Sequence, residues 1–141
     1  MNDHQLWLKS SLFEVEPGED ENTNPGCYGK QLATWLRSKL IAKGYKVEEV
    51  IPEDWGWCVM CNRAPFLLWV GCGSVLDREP TPDAPPPDGK EITWSCFITA
   101  EKPFLRGLFK RIDSAAAVEK LFKEVEGILK SESAITLTSE P

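Results

Sequence analysis

The sequence predicts an α+β fold: an antiparallel sheet of about four to five strands with two amphipathic helices packed on one face. Three observations carry this. Segments 25–43 and 114–130 repeat their apolar residues at the three- and four-residue spacing of a helix. Between them lie stretches with strand composition, the first three joined by turns too short for a crossover, so neighbours should run antiparallel. The order strand, helix, strands, helix then gives both helices one face of a single sheet to cover.

Each element has a local justification. Residues 12–16 alternate weakly and read as a first strand, ended by Pro17-Gly18. After the acidic run from Glu19 to Asn24, Asn24 before Pro25 has the form of a helix cap followed by proline at the first helical position. Leu32, Leu36 and Leu40, flanked by Ala33, Trp35 and Ile41, make the apolar stripe of the first helix, and Gly44 ends it.

Strands are expected at 46–51, 55–61, 66–75 and 91–100. The second and third are apolar on both faces and belong in the middle of the sheet. The fourth sets Ile92, Trp94, Cys96 and Ile98 against Thr93, Ser95 and Thr99, the pattern of a half-exposed strand. A hairpin closed at 62–65 would set Cys58 opposite Trp69, Cys61 opposite Phe66 and Gly56 opposite Gly71.

The connection 77–90 carries prolines at 80, 82, 85, 86 and 87, so it can neither pair as a central strand nor continue a helix; it is a tolerated insertion, or else a lid or a docking arm. Residues 102–112 mix aromatic and basic side chains. Asp113 or Ser114 then caps a second helix built on Val118, Leu121, Phe122, Val125, Ile128 and Leu129, and Ile135 and Leu137 suit a last short strand.

Bulk properties bound the function. A chain of 141 residues, 42% apolar and 27% charged, is expected to form one domain spanning 1–141. A net charge of −6 disfavours attraction to phosphate backbones and anionic lipid, so neither nucleic acid nor membrane is an expected partner. The N-terminus has no leader-like pattern and no long apolar run follows, so the expected compartment is the cytoplasm. Five cysteines, an odd number without scaffold density, read as reduced thiols.

No residue set forms a recognisable catalytic constellation. The single histidine, His4, sits beside the N-terminus. Cys58 and Cys61 have the spacing of a metal or redox pair, but residues three apart on a strand face opposite sides, and core thiols are the simpler reading. Cys27 falls in the first turn of the expected helix, where a thiolate is favoured, although Glu19, Asp20 and Glu21 oppose that. The same acidic loop argues against a phosphate cradle at Gly26 and Gly29 and lacks the ligand spacing of a calcium loop. No cofactor or metal is therefore expected.

What remains is acidic and aromatic. If the first strand and the 55–61 strand are near neighbours, Glu16, Glu19, Asp20, Glu53, Asp54, Trp55 and Trp57 form one face suited to a basic protein partner, as in an inhibitor or immunity-type protein. Two other readings stay open. One is a small-ligand protein or enzyme using a groove beside the Gly/Trp-rich strands, with Cys27 or carboxylates as chemistry; the other is docking through the basic aromatic segment 102–111.

The stretches Glu16-Pro17-Gly18-Glu19-Asp20-Glu21, Asn24-Pro25-Gly26-Cys27-Tyr28-Gly29, Pro52-Glu53-Asp54-Trp55-Gly56-Trp57 and Trp69-Val70-Gly71-Cys72-Gly73 resemble those of a set of small bacterial proteins of uncharacterised activity. The resemblance covers about the first half of the chain. It implies a bacterial cytosolic protein and carries no activity with it.

Overall fold

The structure, a computed structural model, describes residues 4–76, 85–101 and 114–141. Its elements run β1 (Gln5–Ser10), α1 (Lys30–Ala42), β2 (Ile51–Glu53), β3 (Gly56–Asn62), β4 (Leu67–Val75), β5 (Thr93–Glu101), α2 (Ser114–Lys130) and β6 (Ile135–Thr138). All strands among the described residues join one antiparallel sheet in the order β2-β3-β4-β5-β1-β6. The architecture is the α+β one expected, with six strands rather than four or five.

One face of the sheet carries Leu6, Leu8, Trp57, Val59, Cys61, Leu68, Val70, Cys72, Trp94, Cys96 and Ile98, and both helices bury their apolar stripes against it. From α1 come Leu32, Ala33, Leu36 and Leu40; from α2 come Val118, Leu121, Val125, Ile128 and Leu129. Full burial of each aliphatic side chain here is worth roughly 1.5–3 kcal/mol, so this covered face holds the molecule together. No described helix lies on the opposite face.

Four expectations about individual elements are corrected by the structure. Residues 12–16 are not a strand: the amides of Glu14 and Glu16 go to the side chains of Gln31 and Glu19 at 2.8 Å each, so no ladder bond is left for them. The alternation there is real, since Phe13 is buried edge-on against Trp35 and Trp94. The first strand is instead Gln5–Ser10, where Leu6 and Leu8 point to the core.

The strand expected at 46–51 shrinks to β2. Its carbonyl at Glu48 is claimed by Arg37 Nε at 2.8 Å, and a single backbone bond from Glu48 to Met60 links that stretch to β3. The β3–β4 hairpin is closed two residues away from the expected register: Cys58 faces Gly71 and Met60 faces Trp69, with an irregularity between Met60 and Asn62. A slip of two preserves which side chains share a face, so the burial pattern survived the error.

Helix α1 begins at Lys30, not after Asn24. Asn24 to Cys27 forms a turn closed by Cys27 N–H donating to the Asn24 carbonyl at 2.9 Å, so Pro25 is a turn residue and Cys27 lies outside the helix. In the proline-rich connection, 85–90 is described and ends in a short helical turn, Gly89–Glu91, whose first residue packs on Phe13. Residues 77–84, and the basic aromatic segment at 102–112 with Asp113, lie outside the described residues.

Candidate functional site

Two places gather the residues singled out by sequence, and they differ in kind. The first is the N-terminus of α1. Glu19, buried, aims its carboxylate at three backbone amides: Oε1 accepts from Glu16 at 2.8 Å, and Oε2 accepts from Gly29 and Lys30 at 3.1 Å each. Gly29 cannot cap the helix with a side chain, so a carboxylate ten residues earlier does it, which the helix dipole also favours. Asp20 accepts from Gly26 N–H at 3.1 Å, and Glu16 pairs with Lys30 at 3.3 Å.

The four motif-like stretches meet at this place for steric reasons. Tyr28 N–H donates to Ser74 Oγ at 3.0 Å. A methyl group on Gly29 would stand 2.7 Å from the Cys72 carbonyl, and one on Gly56 would collide with the same oxygen. Both glycines have positive φ, so both backbone conformation and space demand them. This is a folding device whose anion seat is already filled by Glu19.

The second place is the helix-free face of the sheet. Trp55 in the β2–β3 turn lies over it and stacks on Trp69, with ring centres 5.4 Å apart and planes 14° apart. Phe97 of β5 meets both indoles edge-on, at 5.1 and 5.5 Å. Its ring occupies the space a side chain at Gly71 would need, which is why β4 carries glycine there. Trp55 remains 36% exposed.

Beside this cluster runs a groove of about 310 Å³. Trp55 and Trp69 wall it, Cys58, Met60 and Leu67 supply an apolar floor, and Glu53 and Glu101 complete the lining. The strand register places the two carboxylates at opposite ends: Glu53 pairs with Gly56 at the start of β3, and Glu101 pairs with Leu67 at the start of β4. No described lysine or arginine pairs with either; the nearby Arg63 is taken by Glu48 at 2.5 Å, a hydrogen bond that holds the Glu48 carboxyl below its usual range.

Burial, reinforced by Glu53, pushes the Cys58 thiol up to about 12, and burial does the same for Cys61 on the covered face. Neither is a nucleophile at neutral pH. Cys72 and Cys96 face each other across β4 and β5 in the core, where their mutual hydrogen bond and burial hold the Cys72 thiol well above its ordinary range. Cys27 is partly exposed in its turn. Among the described residues no group of three or more His, Cys, Asp or Glu side chains is placed to hold a metal, and no helix is long and apolar enough to cross a membrane.

The seven residues expected to form one binding face are thus divided. Glu53 and Trp55 stand together at the open face, with Asp54 exposed between them in the β2–β3 turn, whereas Glu16 and Asp20 belong with the start of α1, bound to Lys30 and Gly26. Glu19 and Trp57 are withdrawn from the surface altogether, each 4% exposed, because Glu19 caps the helix and Trp57 packs in the core with Lys30 Nζ 5.5 Å from its ring centre. The sequence reading missed Trp69, Phe97, Leu67 and Glu101 as surface groups. The signal for Leu67 and Trp69 lies in the period-two pattern of β4, where they and Gly71 alternate with Leu68, Val70 and Cys72. No protein-family model, curated protein or solved structure matches the chain.

Proposed function

We propose that the chain is a non-catalytic binding protein whose helix-free sheet face docks a basic protein partner, in the manner of an inhibitor or immunity-type protein. The observation that carries this reading is the groove itself: stacked Trp55 and Trp69 on an apolar floor, with Glu53 and Glu101 unpaired at its ends among the described residues. Exposed indoles are the commonest anchors of protein interfaces, and unneutralised carboxylates at a rim steer partners of positive charge. The overall charge of −6 acts in the same direction and opposes pairing with a second copy of the same acidic face.

The test is capture of basic proteins on the immobilised chain at low salt. Reversing charge at the groove, Glu53→Lys with Asp54→Lys, is expected to abolish capture, whereas Glu119→Lys on α2 leaves it intact. Equal capture by all three proteins rejects the reading. Elution should follow rising ionic strength, because rim charges are screened over about 8 Å at physiological salt.

A further inference from the structure

We infer that the groove seats an arginine side chain of the partner, its guanidinium stacked on Trp55 and paired with the carboxylate at that end, Glu53, while Glu101 adds negative charge at the far end. This deepens the docking proposal and rests on it for the identity of the face, but its chemistry is tested separately.

The wall is preset. One face of the Trp55 indole is taken by Trp69 and its flank by Phe97, so the ring is held in place before any ligand arrives, and the residue keeps 36% of its surface exposed beside the groove. A cation over an indole face is attracted by the ring quadrupole, and little ordering cost remains for the protein. The charged lining groups, Glu53 and Glu101, are acceptors when ionised, so the groove calls for an occupant rich in donors. Its floor of Cys58, Met60 and Leu67 suits the methylene stem of a long side chain.

Arginine fits these demands better than lysine. A planar guanidinium stacks on an indole and presents several N–H donors in a fixed fork that matches a carboxylate, and it is more weakly hydrated than an ammonium. A neutral polar side chain would leave both carboxylates unpaired. The thiol in the floor has no covalent part to play, since Cys58 stays protonated at neutral pH.

The experiment follows the six indole N–H signals of the labelled protein during titration with acetyl-Gly-Arg-Gly-amide and with its lysine and citrulline counterparts. The arginine peptide is expected to shift the Trp55 and Trp69 signals and leave Trp57 and Trp94 in place. Citrulline, nearly isosteric but uncharged, is expected to bind about tenfold more weakly, and lysine a few-fold more weakly. Glu53→Gln combined with Glu101→Gln should reduce arginine to the citrulline level; Trp55→Leu should remove the preference for arginine over lysine.

Citrulline binding as tightly as arginine, lysine matching arginine, or shifts centred away from Trp55 would each overturn the inference. The two proposals fail separately. A basic protein captured through Glu53 and Asp54, with no arginine preference in the peptides, removes the seat and keeps the docking face. Arginine-selective peptide binding without capture of any basic protein keeps the seat and removes the function proposed above.

Discussion

Trp57 and Trp55 stand two residues apart, and the fold sends them to opposite faces of the sheet. Trp57, on β3, points into the helix-covered side and is 4% exposed; Trp55, one residue before the strand, lies over the helix-free side and is 36% exposed. Between them Gly56 takes φ of +152°, a conformation other residues rarely adopt, and presses on the Cys72 backbone. The two faces use aromatic residues differently. On the covered face indoles fill volume among aliphatic side chains, with Trp57 and Trp94 each burying a ring N–H that has no partner among the described residues. On the open face the rings contact mainly one another and border a groove.

The largest expected effect separates those two indoles. Trp57→Ala should cost about 3–5 kcal/mol in urea denaturation, the usual penalty for deleting a core indole. Trp55→Ala should cost about 1 kcal/mol, the stacking with Trp69 and Phe97, yet eliminate binding to the basic partner. Similar stability losses for the two variants would break the comparison.

The carboxylates should divide in the same way, with smaller magnitudes. Glu19→Ala leaves the amides of Glu16, Gly29 and Lys30 without their acceptor and should cost roughly 2–3 kcal/mol; Glu53→Ala should change stability by less than about 0.5 kcal/mol. Thermal unfolding of both variants checks this. Equal effects would mean that Glu19 is a surface charge after all.

The thiols give the most graded effect, small just above pH 9 and growing with pH. The folded-state values of Cys58 and Cys61 lie above the ordinary thiol range, at about 12, so the native state holds its protons where the unfolded chain has begun to lose them. The contribution is fully present below the unfolded value near 9 and is lost progressively as pH rises from there through 12. Denaturation midpoints should therefore fall above pH 9, and less steeply in a Cys58→Ala, Cys61→Ala protein. At pH 8 a thiol reagent should label partly exposed Cys27 first and reach the other four only on unfolding.

What was legible in the sequence follows from the same physics. The stripe Leu32, Leu36, Leu40 and the stripe from Val118 to Leu129 each needed a surface to cover, and each found it. Strands with clear alternation, such as Ile92, Trp94, Cys96 and Ile98, showed their buried face directly. The start of α1 was hidden because its cap, Glu19, is remote in sequence, and a local motif at Asn24-Pro25 imitates one. The open-face cluster was hidden because Trp55, Trp69 and Phe97 come from three separate elements and meet only when the register is fixed. Carboxylates look alike in sequence, though Glu19 is a buried helix cap and Glu53 borders the groove.

The central claim is that partners dock on the helix-free face, and the most direct measurement is an indole spectrum of the labelled protein with a captured basic protein bound. The account predicts loss or displacement of the Trp55 and Trp69 signals while those of Trp57 and Trp94 keep their free positions. Unmoved Trp55 and Trp69 signals in a saturated complex would contradict it.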